Sequence, residues 1–304
     1  MAYFTGFADE AGRDIDTQIR ATQALGWRFI EARNVNGVNL TDISDTEFES
    51  VAAKLQQAGI AINCFGSAVA NWAKDPRTEA DFQKSREELK RAIPRMKRLG
   101  TRMIRGMSFV LVKDAPPDSE EIQGHVFRKV ADLVRQCEDA GVLYLHENCM
   151  NYGGQSWEHT LRLLERVKSP SLRLVFDTGN PVFSFDRRGK EPYKLQSAWE
   201  FYRNVRPFIE YVHIKDGRYI GPSDGLFPKT EYTWPGEGNG EVRRIVTDLA
   251  KTGYDGGFSM EPHMTTVFHV AGANSPEETM FSNYVEYGRR FAQLAAECGF
   301  VAAR

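Results

Sequence analysis

The sequence has little cysteine, no excess of basic charge and no long apolar run. Its four cysteines, Cys64, Cys137, Cys149 and Cys298, have no paired spacing, so reduced thiols are expected instead of disulfides or a cysteine zinc site. The net charge of -2 predicts no nucleic-acid partner. No apolar stretch is long enough to span a membrane, and the first residues lack a signal-peptide pattern. The sequence therefore predicts a cytoplasmic protein with no membrane association.

Strand-like runs alternate with helical patterns eight times along the 304 residues. The predicted strands cover residues 3–7, 28–35, 60–65, 103–109, 142–147, 172–177, 209–215 and 257–261. Parallel strands need helical crossovers, so strict alternation predicts a parallel sheet. Eight such units in a chain of this length predict an α/β fold, a single-domain (β/α)8 TIM barrel over residues 1–304.

The links between these units differ in length on the two sides of the predicted barrel. Helices end at Gly26, Gly59, Gly100, Gly141 and Gly253, where glycine is the expected left-handed cap, and very short links follow. The links from strand to helix are long, and long loops without secondary structure are commonly functional. In a barrel these loops lie on the C-terminal face, where active sites are found. One helix, over 78–99, contains Pro94 and is expected to kink or break there.

Four of the predicted strands end on residues that can bind a metal ion. These are Glu147, Asp177, His213 and Glu261, from the last four strands. One acid at a strand end is more often a cap or a salt-bridge partner, but four in succession at the same edge predict one divalent metal site. Three carboxylates and an imidazole suit Mn²⁺, Mg²⁺ or Co²⁺ better than structural zinc, which prefers thiolates. Four protein ligands leave coordination positions for water or substrate, as catalysis requires.

Several motifs together resemble the xylose isomerase-like barrel superfamily over nearly the whole chain. They are DTGN after the sixth strand, HIKD after the seventh, the turn PGEGNGE, and YDGGFSMEP near the C-terminus. That superfamily contains ketose 3-epimerases, sugar isomerases, inosose dehydratases and, more distantly, metal-dependent apurinic endonucleases. The resemblance implies a homo-oligomer, a dimer or tetramer, that acts on a small sugar or cyclitol.

The resemblance also implies roles for the four ligands. In epimerase members the metal ligands match Glu147, Asp177, His213 and Glu261, and the two glutamates also form the acid/base pair. The implied function is a divalent-metal-dependent sugar isomerase or epimerase that transfers a proton between the glutamates through a metal-stabilised enediolate. Mn²⁺ is the first expectation for the ion, with Mg²⁺, Co²⁺ or Zn²⁺ as alternatives. An inosose dehydratase-like lyase and a vestigial sugar-binding barrel are the alternative functions.

Further residues are candidates for substrate binding. Asn180 stands where many members carry histidine, and its amide could bind a hydroxyl group. Lys215 could bind a substrate oxygen or form a salt bridge, and Arg218 could hold a hydroxyl, carboxylate or phosphate group. Glu31 and Arg105 are interpreted as core salt-bridging residues. None of the six histidines lies on the first four predicted strands, which argues against a three-metal nuclease site.

Overall fold

Eight parallel strands alternate with eight helices in the computed structural model, which describes residues 2–221, 225–264 and 276–300. The strands are β1 Tyr3–Gly6, β2 Phe29–Ala32, β3 Ala61–Phe65, β4 Met103–Gly106, β5 Leu143–Glu147, β6 Leu172–Asp177, β7 Ile209–Ile214 and β8 Gly257–Met260. The helices are α1 Ile15–Ala24, α2 Asp45–Ala58, α3 Glu79–Leu99, α4 Glu120–Ala140, α5 Trp157–Val167, α6 Ala198–Val205, α7 Val242–Lys251 and α8 Pro276–Glu297.

Each strand of the sheet lies beside its neighbour in sequence, and the sheet curls until its ends meet. Pairing runs without interruption from β2 through β3 to β8, and β8 pairs with β1. A parallel bridge joins Phe7, which directly follows β1, to Glu31 in β2, and so connects the two ends of the sheet. The predicted (β/α)8 barrel is confirmed.

The predicted helices and strands match the observed ones closely, with differences at their ends. The second strand stops at Ala32 because Asn34–Val35 turns back to pair with Val38–Asn39. Helix α3 passes through Pro94 without a break, so the predicted interruption is absent. Two further hairpins, Phe185–Asp186 with Lys194–Leu195 and Gly217–Gly221 with Lys229–Tyr232, lie in the loops after β6 and β7.

Helix caps fix where each connection returns to the sheet. Glycines 59, 100 and 141 close α2, α3 and α4 in the left-handed conformation, with φ of 66°, 70° and 71°. A residue without a side chain adopts this conformation at little cost, so the chain can turn directly into the next strand. The short links therefore lie on one side of the barrel, and the long loops lie on the other.

The barrel interior and its outer layer form separate apolar cores. Cys64, Leu145, Val175 and Tyr211 pack inside the barrel, on the face that alternation predicts for the side chains of β5, β6 and β7. Larger apolar clusters lie between the strands and the helices. In the register of β6 and β7, Asp177 lies opposite His213 at the end of both strands. Among the described residues, no helix is both long and apolar enough to cross a membrane.

Candidate metal centre and active site

Four buried side chains meet at the mouth of the barrel, as the strand ends predict. Glu147, Asp177, His213 and Glu261 each offer one ligand atom, and these atoms lie within 4.8 Å of one another. His213 and Asp177 are fully buried, and the two glutamates are 2% and 4% exposed. Metal–ligand bonds to nitrogen and oxygen are about 2.0–2.2 Å long, so the spacing of these atoms is close to that of ligands around one ion.

The imidazole of His213 is oriented by a carboxylate below the site. Its Nε2 lies 3.2 and 3.0 Å from the two oxygens of Glu31, which is itself fully buried. Its Nδ1 faces the cluster, 3.4 Å from Glu147 and 3.9 Å from both Asp177 and Glu261. Burial lowers the pKa of His213, but Glu31 and Glu147 outweigh it and raise the pKa to about 10. A cation that binds Nδ1 must therefore displace a proton from that nitrogen.

Asp177 is held by the loop that follows it. Its Oδ1 accepts hydrogen bonds from the backbone N–H groups of Gly179, at 2.8 Å, and Asn180, at 2.7 Å. Its Oδ2 faces the centre of the cluster. The side-chain amide of Asn180 donates to Glu147 Oε1 at 3.1 Å, so one tight turn fixes two candidate ligands.

Two arginines from the first half of the chain hold the two glutamates. The Arg105 guanidinium lies 3.3 Å from Glu147 Oε2, and that of Arg33 lies 3.2 Å from Glu261 Oε1. Both guanidinium groups pack on the ring of Phe7, at 4.9 and 4.5 Å from its centroid. Burial raises the pKa of Glu147, but the charge of Arg105 outweighs it and the pKa falls to about 2. The carboxylate is therefore ionised and ready to bind a cation.

His263 lies beside Glu261 and has a partly buried acid, Glu10, behind it. Its Nε2 is 3.4 Å from Glu261 Oε1, and its Nδ1 is 3.2 Å from Glu10 Oε1. Glu10, Glu261 and His263 form a second group of ligand atoms close enough to share an ion. Arg33, however, already contacts Glu10 Oε1 at 3.2 Å as well as Glu261. The positive charge at this position argues against a second metal ion.

Three atoms of the cluster test whether a metal fits. His213 Nδ1, Glu147 Oε2 and Asp177 Oδ2 are buried and make no hydrogen bond within the described part of the chain. Burying such atoms without a partner is costly, although ion pairs with Arg105 and Lys215 offset part of that cost for the two oxygens. A divalent ion between His213 Nδ1 and Asp177 Oδ2, which lie 3.9 Å apart, would satisfy both of those atoms, so the donor set fits one.

A cavity of about 290 Å³ opens above the cluster. Glu147 and Glu261 form part of its wall, together with the predicted substrate-binding residues Asn180 and Lys215. Aromatic side chains complete it on other sides: Trp72, Phe183, Phe227 and Tyr232. The volume is at the lower limit for small-molecule sites, which suits a ligand the size of a monosaccharide.

Arg218 lies apart from the other predicted site residues. It is on the hairpin after β7, with its side chain 52% exposed, and its guanidinium contacts Glu231 and the carbonyl oxygen of Glu237. It lines a separate surface depression with Tyr219 and Asn239. Its predicted role in substrate binding therefore has no support from the geometry.

A family model described as a xylose isomerase-like TIM barrel matches residues 19–287. The chain belongs to that family. Among solved structures, the xylose isomerase-like barrel resembles a D-tagatose 3-epimerase-like protein with a TM-score of 0.70 at 16% identity, over 97% of this chain and 98% of that one. It also resembles the IOLI protein with a binding zinc atom, with a TM-score of 0.70 at 15% identity, over 98% and 100%. At these identities the likeness shows the fold alone.

A curated relative of this xylose isomerase-like protein is an inosose dehydratase of Bacillus thuringiensis (strain Al Hakam). The two are 27% identical over 164 residues, which is 51% of this chain and 52% of the relative. The chain thus spans about half the length of the curated relatives that it matches first. The relatives include an inosose dehydratase and the structural neighbours include epimerases, and the comparisons establish the family of this chain without its reaction.

Sequence reasoning does not identify which residues support the ligands in this xylose isomerase-like barrel. Glu31 and Arg105 do form buried ion pairs, but their partners are the candidate ligands His213 and Glu147. The sequence motifs do not single out Arg33 or His263. Each follows an inward-facing acid, Glu31 or Glu261, by two positions, and strand alternation could have placed both at the barrel mouth.

Proposed function

We propose that this protein is a divalent-metal-dependent sugar isomerase or epimerase that moves a proton between Glu147 and Glu261. The observation that carries the proposal is their shared position. Both carboxylates line one cavity, and both belong to the four-residue ligand cluster beneath it. They come from the outermost of the four successive strands, with Asp177 and His213 between them. A substrate carbon above the cluster would therefore have a glutamate on either side.

The cluster would supply Lewis-acid chemistry when loaded. A divalent ion held by Glu147, Asp177, His213 and Glu261 would polarise a carbonyl group and stabilise the negative charge that develops on its oxygen. With three carboxylates and one imidazole, we propose Mn²⁺, with Mg²⁺, Co²⁺ and Zn²⁺ as competitors. Asp177 accepts two backbone hydrogen bonds through its other oxygen and is proposed to act as a ligand alone.

The protein side chains would move and direct the proton. A general base must lie within hydrogen-bond reach of the proton that it removes, and both glutamates border the cavity. One would take the proton from the carbon next to the carbonyl group, and the other would return one from the opposite side. Asn180 and Lys215, which line the same cavity, are proposed to bind substrate oxygens.

A dehydratase is the second candidate, because two observations favour it. The curated relatives that match over about half their length are inosose dehydratases. His263, which has Glu10 behind it, lines the cavity next to Glu261. A lyase needs the same removal of a proton beside a carbonyl group, followed by protonation of a departing hydroxyl group, and His263 lies where it could donate that proton.

The experiment that tests the proposal detects proton removal, which both candidate reactions share, and distinguishes epimerisation or isomerisation from loss of water. Purified protein loaded with Mn²⁺ is incubated in D₂O with ketoses and with a cyclitol ketone, and products are analysed by NMR and mass spectrometry. Deuterium at carbon with a new epimer or isomer supports the first function, and loss of water supports the second. Glu261→Gln and Glu147→Gln should each abolish turnover. If either variant exchanges deuterium at the wild-type rate, the acid/base assignment is wrong.

A further inference from the structure

Lys215 contacts the same carboxylate oxygens that would bind the metal. Its Nζ lies 3.0 Å from Asp177 Oδ2 and 2.9 Å from Glu261 Oε2. These are the atoms at 3.9 Å from His213 Nδ1, and they face the centre of the cluster. The lysine side chain is only 6% exposed. Its charged group is therefore held mainly by two of the four candidate ligands.

A dication and this ammonium cannot both be held tightly by these oxygens. An ion bonded to Asp177 and Glu261 would lie within a few ångströms of Lys215 Nζ, where like charges in a buried site repel strongly. Each oxygen has the same negative charge to offer to either cation. Binding of the metal therefore weakens the two contacts that keep the ammonium in place.

The cavity offers space for the displaced ammonium group. Lys215 lines the cavity above the cluster, beside Asn180 and Tyr232. The rest of its side chain passes against Gly179, where an added Cβ would lie 2.7 Å from Lys215 Cγ and 3.0 Å from its backbone carbonyl carbon. This close packing fixes the start of the side chain, so a displaced ammonium would swing at its far end, into the cavity.

We infer that Lys215 is an exchangeable counter-cation, which neutralises Asp177 and Glu261 before metal binds and is released into the cavity when metal binds. The inference rests on the proposed metal-dependent function and adds an order of binding, metal before substrate. The metal arrives first, and its arrival presents the ammonium to a carbonyl or hydroxyl oxygen of the substrate. Without metal, the lysine stays paired with the ligands and offers the substrate little.

Chemical modification of lysines in the wild-type protein tests this directly. Acetic anhydride is applied with and without Mn²⁺, and acetylation of each lysine is followed by peptide mass spectrometry. Release predicts that Mn²⁺ raises the rate at Lys215 by about tenfold or more, because two contacts to carboxylates are lost. Lys74 is the matched control, since it is also buried and paired with an acid, Glu88, but lies outside the cluster. Its rate should not change.

Metal affinity of Lys215→Met gives the second readout, by calorimetry with Mn²⁺ alone. Removing the competitor should tighten binding by about tenfold or more, and the gain should persist at high salt, which screens long-range charge effects but not direct competition. Acetylation of Lys215 that stays constant or falls with Mn²⁺, or an affinity that is unchanged or weaker in Lys215→Met, overturns the inference. If wild-type protein binds no divalent metal at all, the metal centre of the proposed function fails as well, which is a different result.

Discussion

The two halves of the barrel contribute different parts of the candidate site. The second half supplies the ligands, from β5, β6, β7 and the residue after β8. The first half supplies the groups that hold three of them: Glu31 for His213, Arg105 for Glu147 and Arg33 for Glu261. The fourth ligand, Asp177, is held by its own loop. The comparison teaches that three of the four ligands are oriented by residues encoded in the other half of the chain, while Asp177 is oriented locally.

The largest effect is expected in the ligand half, from Asp177→Asn. Asparagine keeps the oxygen that accepts from Gly179 and Asn180, but it replaces the oxygen that faces the cluster with an amide nitrogen that cannot bind a cation. Loss of outer partners alone costs about 10–100-fold in metal affinity, so loss of a ligand should cost more than about 100-fold. Calorimetry with Mn²⁺ measures it. Asp16→Asn, on the surface, is the control, and retention of wild-type affinity in Asp177→Asn would refute this ligand set.

A smaller effect is expected in the supporting half, from Glu31→Gln. The glutamine can still accept from His213 Nε2, but it lacks the negative charge that makes the imidazole a strong ligand. Metal affinity should fall by about tenfold, at the lower end of the range for such partners. Glu49→Gln, which changes an exposed acid paired with Arg98, controls for loss of charge. An affinity within twofold of the control would mean that the two halves are not coupled through this contact.

Phe7→Leu tests the support that one buried ring gives to both glutamates through their arginines. The ring supports both Arg33 and Arg105, and such cation–π contacts contribute about 0.5–2 kcal/mol each. Leucine should lower the rate of deuterium exchange by about threefold to tenfold. It should also lower Mn²⁺ affinity, because the two glutamates that these arginines hold are candidate ligands.

The matched control for Phe7→Leu is Phe82→Leu. Phe82 is also buried and carries cations on its ring, Arg128 and Lys129, but it lies on the outer helix α3. Both variants should lower the free energy of unfolding by about 1–2 kcal/mol, measured by urea denaturation. Only Phe7→Leu should lose exchange rate. Equal losses in both variants would show a general effect of stability instead of a positioning role.

The fold and the ligand half could be predicted from the sequence because both follow from local patterns. Alternation placed the strands, and parallel topology placed the ends of β5, β6 and β7 at one edge. The supporting half depends on closure of the barrel. Glu31 and His213 are 182 positions apart, and Arg33 and Glu261 are 228 apart. Those contacts exist because the barrel closes where β1, next to β8, meets β2. No local sequence pattern predicts how the strands align at that closure.

Arg218 shows that closeness to a ligand in the sequence does not place a residue in the site. Its substitution gives the smallest expected effect. It follows His213 closely in sequence, yet the chain turns into the hairpin after β7, and the guanidinium is paired with Glu231 at 3.5 Å on the surface. Arg218→Met should therefore change the KM for any active ketose by less than about twofold, since Arg218 lines a separate depression and its exposed ion pair contributes little to stability. Steady-state kinetics with the Mn²⁺-loaded enzyme measures it. A KM raised tenfold or more would support the sequence prediction and require that this hairpin close over the cavity when substrate binds.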